Sequence, residues 1–370
     1  MMTTLLRLFV LIGILMGNRS AVPEENQDWA SFRGNPHMTG VAAAALPAQM
    51  KPLWTHEAGA AADSTAAIVG DTVYVGTGKG ELLALNFADG KLRWKFDAGA
   101  SIAASPCVAG GIVYAGDESG TFHAVDAASG KEAWQFKAGS TIISSATPAP
   151  GVVLFGSYDS KLYCLDAKTG AAKWQFQADA QVHCSPCVAD GKVMIAGCDG
   201  KVRIIDLETG KEKAAAALEQ SNFAASPAYS GGNVYVGALS GEYLSVSCAD
   251  GTVNWQVKKE GECYAGAAVK GEAVVFANRA NKIFCVDRAT GKDRWEFTAK
   301  GGVDSSPVIA GEVVYVGCGD GTIYGLALQD GKKVWQFTAG GAVNASPAVA
   351  RGRMVIGTSD GAIYCFGSPK

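Results

Sequence analysis

Residues 183–187 read His-Cys-Ser-Pro-Cys, a Cys-x-x-Cys spacing of the kind that binds zinc or cycles between dithiol and disulfide. Residues 76–80, Gly-Thr-Gly-Lys-Gly, imitate a phosphate-cradling glycine loop. A third, dispersed set (Asp63, His183, Tyr264, Arg279, Asp304 and Asn344) carries the oxygen and nitrogen donors that a cation or polar cofactor would need. General acid–base chemistry has few candidates, because only His37, His56, His123 and His183 are present and no Ser/His/Asp arrangement recurs. Whether any of these groups forms a site depends on the elements that carry it.

Those elements repeat. Trp54, Trp94, Trp134, Trp174, Trp255, Trp295 and Trp335 are 40 residues apart, except for one gap of 81 that holds Ala214, so eight registers exist. Turn glycines at 90, 130, 170, 210, 251, 291 and 331 precede the tryptophan column by four residues. Each unit contains three turn signals separating short β-branched and aromatic runs, such as Ile112-Val113-Tyr114-Ala115. Four short antiparallel strands per unit make a propeller blade. Leu53–Glu57 is an outer strand with no inner strands before it, and 345–366 supplies three inner strands with no outer strand after them. Pairing the two ends removes two open sheet edges, so the expectation is an all-β, eight-bladed propeller closed by its N-terminal outer strand. The alanine run at Lys213–Gln220 replaces the tryptophan, and the outer strand of blade 5 is expected to be irregular there. Tryptophans recurring in nearly every unit are read as structural.

This architecture sorts the motifs. In an extended strand, residues three apart point to opposite faces with Cα atoms roughly 10 Å apart, beyond disulfide range, so the Cys-x-x-Cys pair is read as buried thiols. Cys184 shares a column with Ser64, Ala104, Ser144 and Ala225. Cys187 aligns with Ala67, Cys107 and Ala228, Cys263 with Ile102 and Val182, and Cys164, Cys285 and Cys365 with Ala84 and Ala124. Cys198 and Cys318 fall in turns of different blades, and any disulfide connectivity is left open. The glycine loop is the second turn of blade 1, with no helix after it. The sequon at Asn344 falls at a strand start and is read as accidental. One column varies in type: Asp63, Ala103, Ile143, His183, Ala224, Tyr264, Asp304 and Asn344, three residues before each strand proline or its equivalent. In a closed ring it lines one mouth of the central channel, with Tyr264, Asp304, Asn344 and Asp63 contiguous across the seam and His183 opposite. Asp63, Asp304 and Asn344 are candidate ligands for a hard cation such as calcium, with Arg279 alongside. Turn residues Asp117, Glu118, Asp159, Asp199, Asp320 and Asp360, offset mainly by Lys79 and Arg279, are expected to make that face acidic.

Of 370 residues, 48% are apolar and 18% charged, which fits a large core and excludes a disordered chain. Residues 1–21, with Arg7 before an apolar run from Leu8 to Gly17, read as a secretory signal, so the protein is expected in the periplasm or outside the cell. No cysteine follows that run closely, so no lipid anchor is expected, and no second run is long enough to span a membrane. Loss of Arg7 and Arg19 with the leader leaves 30 basic against 35 acidic side chains, a formal charge of −5, which disfavours nucleic acid as a partner. Residues 22–50 form a lead-in, and 51–370 a single propeller domain.

Leu165-Asp166-Ala167-Lys168-Thr169-Gly170, with Trp174 four residues on, resembles the PQQ-type β-propeller repeat, and Trp29-Ala30-Ser31-Phe32-Arg33-Gly34 with Thr39-Gly40-Val41 resembles the lead-in before such propellers. The likeness covers Leu53 to Phe366. It implies either a quinoprotein dehydrogenase or a non-enzymatic scaffold similar to BamB of the outer-membrane assembly machinery. The dehydrogenases have long pocket-building insertions and commonly a disulfide between adjacent cysteines; here the units are uniform, and neither a Cys-Cys pair nor a Cys-x-x-Cys-His haem site occurs. The resemblance therefore implies the scaffold branch, with protein partners and no cofactor. The alternative is a small oxidoreductase or ligand-binding propeller holding PQQ or calcium at the channel mouth.

Overall fold

The structure, a computed structural model, describes residues 27–368; the expected leader, 1–21, lies outside the described residues. Among them, every regular element of four or more residues is a strand, and the strands form eight four-stranded antiparallel sheets. Blade 1 comprises Ala67–Val69, Thr72–Gly76, Glu81–Asn86 and Leu92–Asp97, and blades 2 to 7 repeat it at steps of 40 or 41 residues. Blade 8 is built from both ends of the chain: Ala348–Ala350, Arg353–Gly357 and Ala362–Gly367 are completed by Lys51–Glu57, with Thr55 paired to Tyr364 and Glu57 to Ala362. The expected closure is present.

The innermost strand of each blade has three residues, the next two are almost wholly buried, and the outer strand alternates between exposed and partly buried. That gradient explains why the middle runs read as continuous apolar segments while the outer ones alternate. Blades are joined by one repeated contact. At six of the eight interfaces the tryptophan of an outer strand lays its ring on the turn glycine of the next blade, and a β-carbon on Gly90, Gly130, Gly170, Gly210, Gly291 or Gly331 would approach that ring to 2.5–2.8 Å. These glycines also sit at φ of 68–73°, where a side chain is strained. Most of the indoles then donate Nε1–H to a carbonyl 33 residues on, as Trp54 does to Phe87 at 3.0 Å and Trp174 to Leu207 at 3.0 Å. Trp54 belongs to blade 8 and Gly90 to blade 1, so blade 8 meets blade 1 through the same joint as five other interfaces; between blades 4 and 5 Gly251 meets the Ala215 backbone instead.

The strand expected to be irregular is regular, and it belongs to blade 4. Glu212–Ala217 pairs with Lys201–Asp206 with the same one-residue bulge found in the other blades. A volume exchange accounts for this. Opposite each tryptophan stands a small residue (Ala84, Ala124, Cys164, Ser245, Cys285, Gly325 or Cys365), whereas Ala214 stands opposite Ile204. The large and small members have traded strands, and the ladder is unaffected. The same pairing explains the cysteine column that aligned with alanine. All ten thiols are free, and all but Cys198 are buried.

Candidate functional site: the axial channel

The segment entering each innermost strand runs beside the axis, so residues at equivalent positions of eight blades meet around one cavity of about 250 Å³. All eight members of the varied column line it: Asp63, Ala103, Ile143, His183, Ala224, Tyr264, Asp304 and Asn344. Asn344 precedes its strand rather than opening it.

The polar members are bonded into separate groups. The Cζ of Arg279 sits over the Tyr264 ring, 3.8 Å from its centre, and the guanidinium donates from Nε and Nη2 to the two oxygens of Asp304 at 2.8 and 3.0 Å, with Glu262 3.4 Å from Nη1. That bidentate bond holds the guanidinium above its ordinary pKa. On the far side of the seam, Asn344 Nδ2 donates to Ser359 Oγ at 3.0 Å, and that hydroxyl donates to Asp63 at 2.7 Å. Across the channel the Tyr158 hydroxyl and His183 Nδ1 share a 2.6 Å hydrogen bond, and burial lowers the pKa of His183 below its usual value. The structure therefore brings the sequence-predicted residues to one cavity while dividing them into an Arg279–Asp304–Tyr264 group, an Asp63–Ser359–Asn344 chain and a distant His183–Tyr158 pair. Among the described residues, no group of three or more His, Cys, Asp or Glu side chains is placed to hold a metal.

The acidic turns contribute less charge to this face than their number suggests. Asp117 is fully buried, accepting from Ser119, Thr121 N–H and His123. Asp159 accepts from the Tyr163 hydroxyl at 2.6 Å, and Asp199 lies 2.6 Å from the buried guanidinium of Arg203, which also meets Asp179 and Glu212. Burial pushes the Asp199 carboxyl up, but Arg203 outweighs it and holds it below the ordinary range.

Two further features lie deeper. Two residues along from the varied column, seven blades carry a hydroxyl: Thr65, Ser105, Ser145, Ser185, Ser226, Ser306 and Ser346, all buried. Each of these oxygens accepts the N–H of the equivalent residue in the preceding blade, at 2.9–3.2 Å, in a chain running round the axis. The ring has one gap, at Gly266 in blade 6, where the Ser226 N–H meets no hydroxyl.

The second feature is the lead-in. It runs across the opposite end of the channel and adds backbone hydrogen bonds to the innermost strands: Ile68 with Trp29, Val108 N–H to Ala30, Val188 to Pro36, Tyr229 to His37, Val269 to Thr39 and Ile309 to Gly40. Phe32 lines the cavity floor. The next side chain, Arg33, is 1% exposed and donates from Nη2 to the Ala267 carbonyl at 2.6 Å. Its Nε and Nη1 have no partner. Gly40 makes room for it, since a β-carbon there would fall 1.9 Å from Nη2.

The channel is therefore a recess with a polar mouth, a hydroxyl ring and a floor supplied by a non-repeating segment. The mouth was legible from its column; the ring and Arg33 were missed. A search for variation passes over a uniform column, although the hydroxyl next to each strand proline was visible. Nothing in the repeat says where the lead-in docks.

The chain matches the family described as outer membrane protein assembly factor BamB over residues 39–152, 140–262 and 245–366. None of the curated proteins matches it. Among solved structures, BamB from Moraxella catarrhalis superposes with a TM-score of 0.78 at 19% identity, covering 86% of this chain and 100% of that one. The computationally designed Ika8 protein gives 0.77 at 19%, with the same coverage of both chains. The quinohemoprotein alcohol dehydrogenase from Comamonas testosteroni gives 0.82 at 13%, covering 95% of this chain and 82% of that one. At these identities the superpositions establish the fold.

Proposed function

The chain belongs to the family of outer membrane protein assembly factor BamB, and on that premise we propose that it is a non-catalytic propeller whose rigid rim docks protein partners at the cell envelope. The observation that carries this reading is the bareness of the blades. The connection from one blade to the next is nine residues long (98–106 between blades 1 and 2), ten after Ala217, and every other link is a tight turn. Among the described residues no insertion rises above the rim to build a substrate pocket, which leaves a broad surface of short turns fixed by the sheets beneath. Surfaces of this kind suit partners recognised by shape and by rim charges.

The quinone-binding alternative asks more of the mouth. Asp304, Tyr264 and Arg279 are bonded to one another, and Asp63 and Asn344 are linked through Ser359, so donor groups that a quinone would need already have partners. A quinone would supply redox chemistry if bound; the residues arranged here bind and orient one another.

The test has two arms. Pull-down from envelope extracts of the native host, with deletion of the chain followed by measurement of outer-membrane protein levels, is expected to yield a specific partner and a loss of assembled protein. Addition of PQQ and calcium to the purified protein is expected to give neither a tightly bound chromophore nor alcohol-dependent dye reduction. Turnover in the second arm would overturn the scaffold reading.

A further inference from the structure

Next to Phe32, which lines the channel floor, the chain buries a cation without a counter-ion. Arg33 is buried, the only hydrogen bond of its guanidinium is to the carbonyl of Ala267, and among the described residues no carboxylate pairs with it. An uncompensated buried charge with two orphaned N–H groups is costly unless something meets it. Burial alone pulls its pKa down to about 9, which leaves it charged at neutral pH.

The hydroxyl ring is poised in the same sense. Each ring oxygen accepts a backbone N–H, and none donates to a protein acceptor. Seven O–H groups are therefore free to point at the axis. The gap in the ring lies against the arginine: a β-carbon on Gly266 would be 3.6 Å from Arg33 Nε and 3.6 Å from Ser306 Oγ. The same β-carbon would lie 3.4 Å from the Ser226 carbonyl oxygen, so the guanidinium and the hydroxyl of Ser306 converge there beside that carbonyl. The acidic groups of the mouth column, Asp63 and Asp304, are bonded to Ser359 and Arg279.

We propose that the channel floor binds a small monovalent anion, a halide, between Arg33 and the hydroxyl ring at the Gly266 gap. The unpartnered N–H groups of Arg33 and the ring hydroxyls outnumber the one carbonyl oxygen at the gap, that of Ser226, the reverse of a cation site. Gly266 has an ordinary backbone conformation and an added β-carbon would make only van der Waals contacts, so glycine is not required there by the chain. Its effect is to leave the space open.

Bromide is the probe. In crystals soaked in sodium bromide, an anomalous peak is expected within hydrogen-bonding distance of Arg33. In solution, sodium bromide is expected to raise the unfolding midpoint saturably over sodium gluconate at equal ionic strength, gluconate being too large to enter. Arg33→Met should abolish that difference, and Gly266→Ser, which fills the gap while keeping Arg33, should weaken bromide at least tenfold. If Arg33→Met fails to fold, Gly266→Ser and the anomalous map decide. No peak at the floor, a peak without a saturable midpoint shift (an adventitious ion only), or the same salt response in wild type and Gly266→Ser would overturn the proposal. None of these outcomes depends on the scaffold reading.

Discussion

The tryptophan–glycine joint between blades makes a prediction with an internal control. Gly210 and Gly151 have nearly the same backbone, φ of 68° and 73°, but a β-carbon on Gly210 would lie 2.6 Å from the Trp174 ring, whereas one on Gly151 meets nothing within 4 Å. Alanine at either site carries the left-handed penalty of about 1–2 kcal/mol. Only Gly210→Ala adds overpacking, about 1–3 kcal/mol more. With an unfolding entropy of about 2.1 cal/mol/K per residue over roughly 340 residues, 1 kcal/mol corresponds to about 1.4 °C. The expected falls in midpoint are about 1.5–3 °C for Gly151→Ala and about 3–7 °C for Gly210→Ala, read by differential scanning calorimetry. Repeating Gly210→Ala in a Trp174→Ala background removes the ring, so the glycine substitution there should cost only the backbone part. Equal shifts for the two glycines, or an effect of Gly210→Ala that is undiminished without Trp174, would refute the claim that the ring contact couples adjacent blades.

Three further outcomes are expected. Asp199→Asn should lower stability at pH 7 by roughly 1–3 kcal/mol, since Arg203 keeps two other carboxylates. Because the native carboxyl is held below its ordinary value, the gap between wild type and variant should be full at neutral pH and close as pH falls through 3.8 and below; a gap that widens in acid would contradict the pairing. Ellman's reagent should label the native protein slowly and at no more than Cys198, then all ten thiols in guanidinium, because burial raises the others, Cys184 and Cys365 to about 12; fast labelling of several native thiols would contradict the packing. At the mouth, equilibrium dialysis should find any calcium affinity increased by Arg279→Ala, which frees both oxygens of Asp304, and decreased by Asp63→Ala; no change in either variant would remove these residues as candidate ligands.

The 40-residue period was sufficient to read the blade, the ring and its closure, because a strand ladder is a local pattern and an unpaired edge at each end has one economical solution. Once the ring was in hand, the mouth column followed, since equivalent residues of a closed ring face one axis. The exchange of Ile204 with Ala214 lay across two strands rather than along one, so the alanine run looked like a defect when read linearly. Turn aspartates looked like surface charge because their partners, Tyr163 and Arg203, occupy the following strand at positions that otherwise read as core. Arg33 depended on the tertiary structure most of all. Its bond to Ala267 spans 234 residues, and the lead-in lies outside the repeat, so no periodicity predicts its place. Repetition encodes what each blade does with its neighbour, whereas the depth and charge of the channel come from a single non-repeating segment whose position is set only when eight inner strands offer it their edges together.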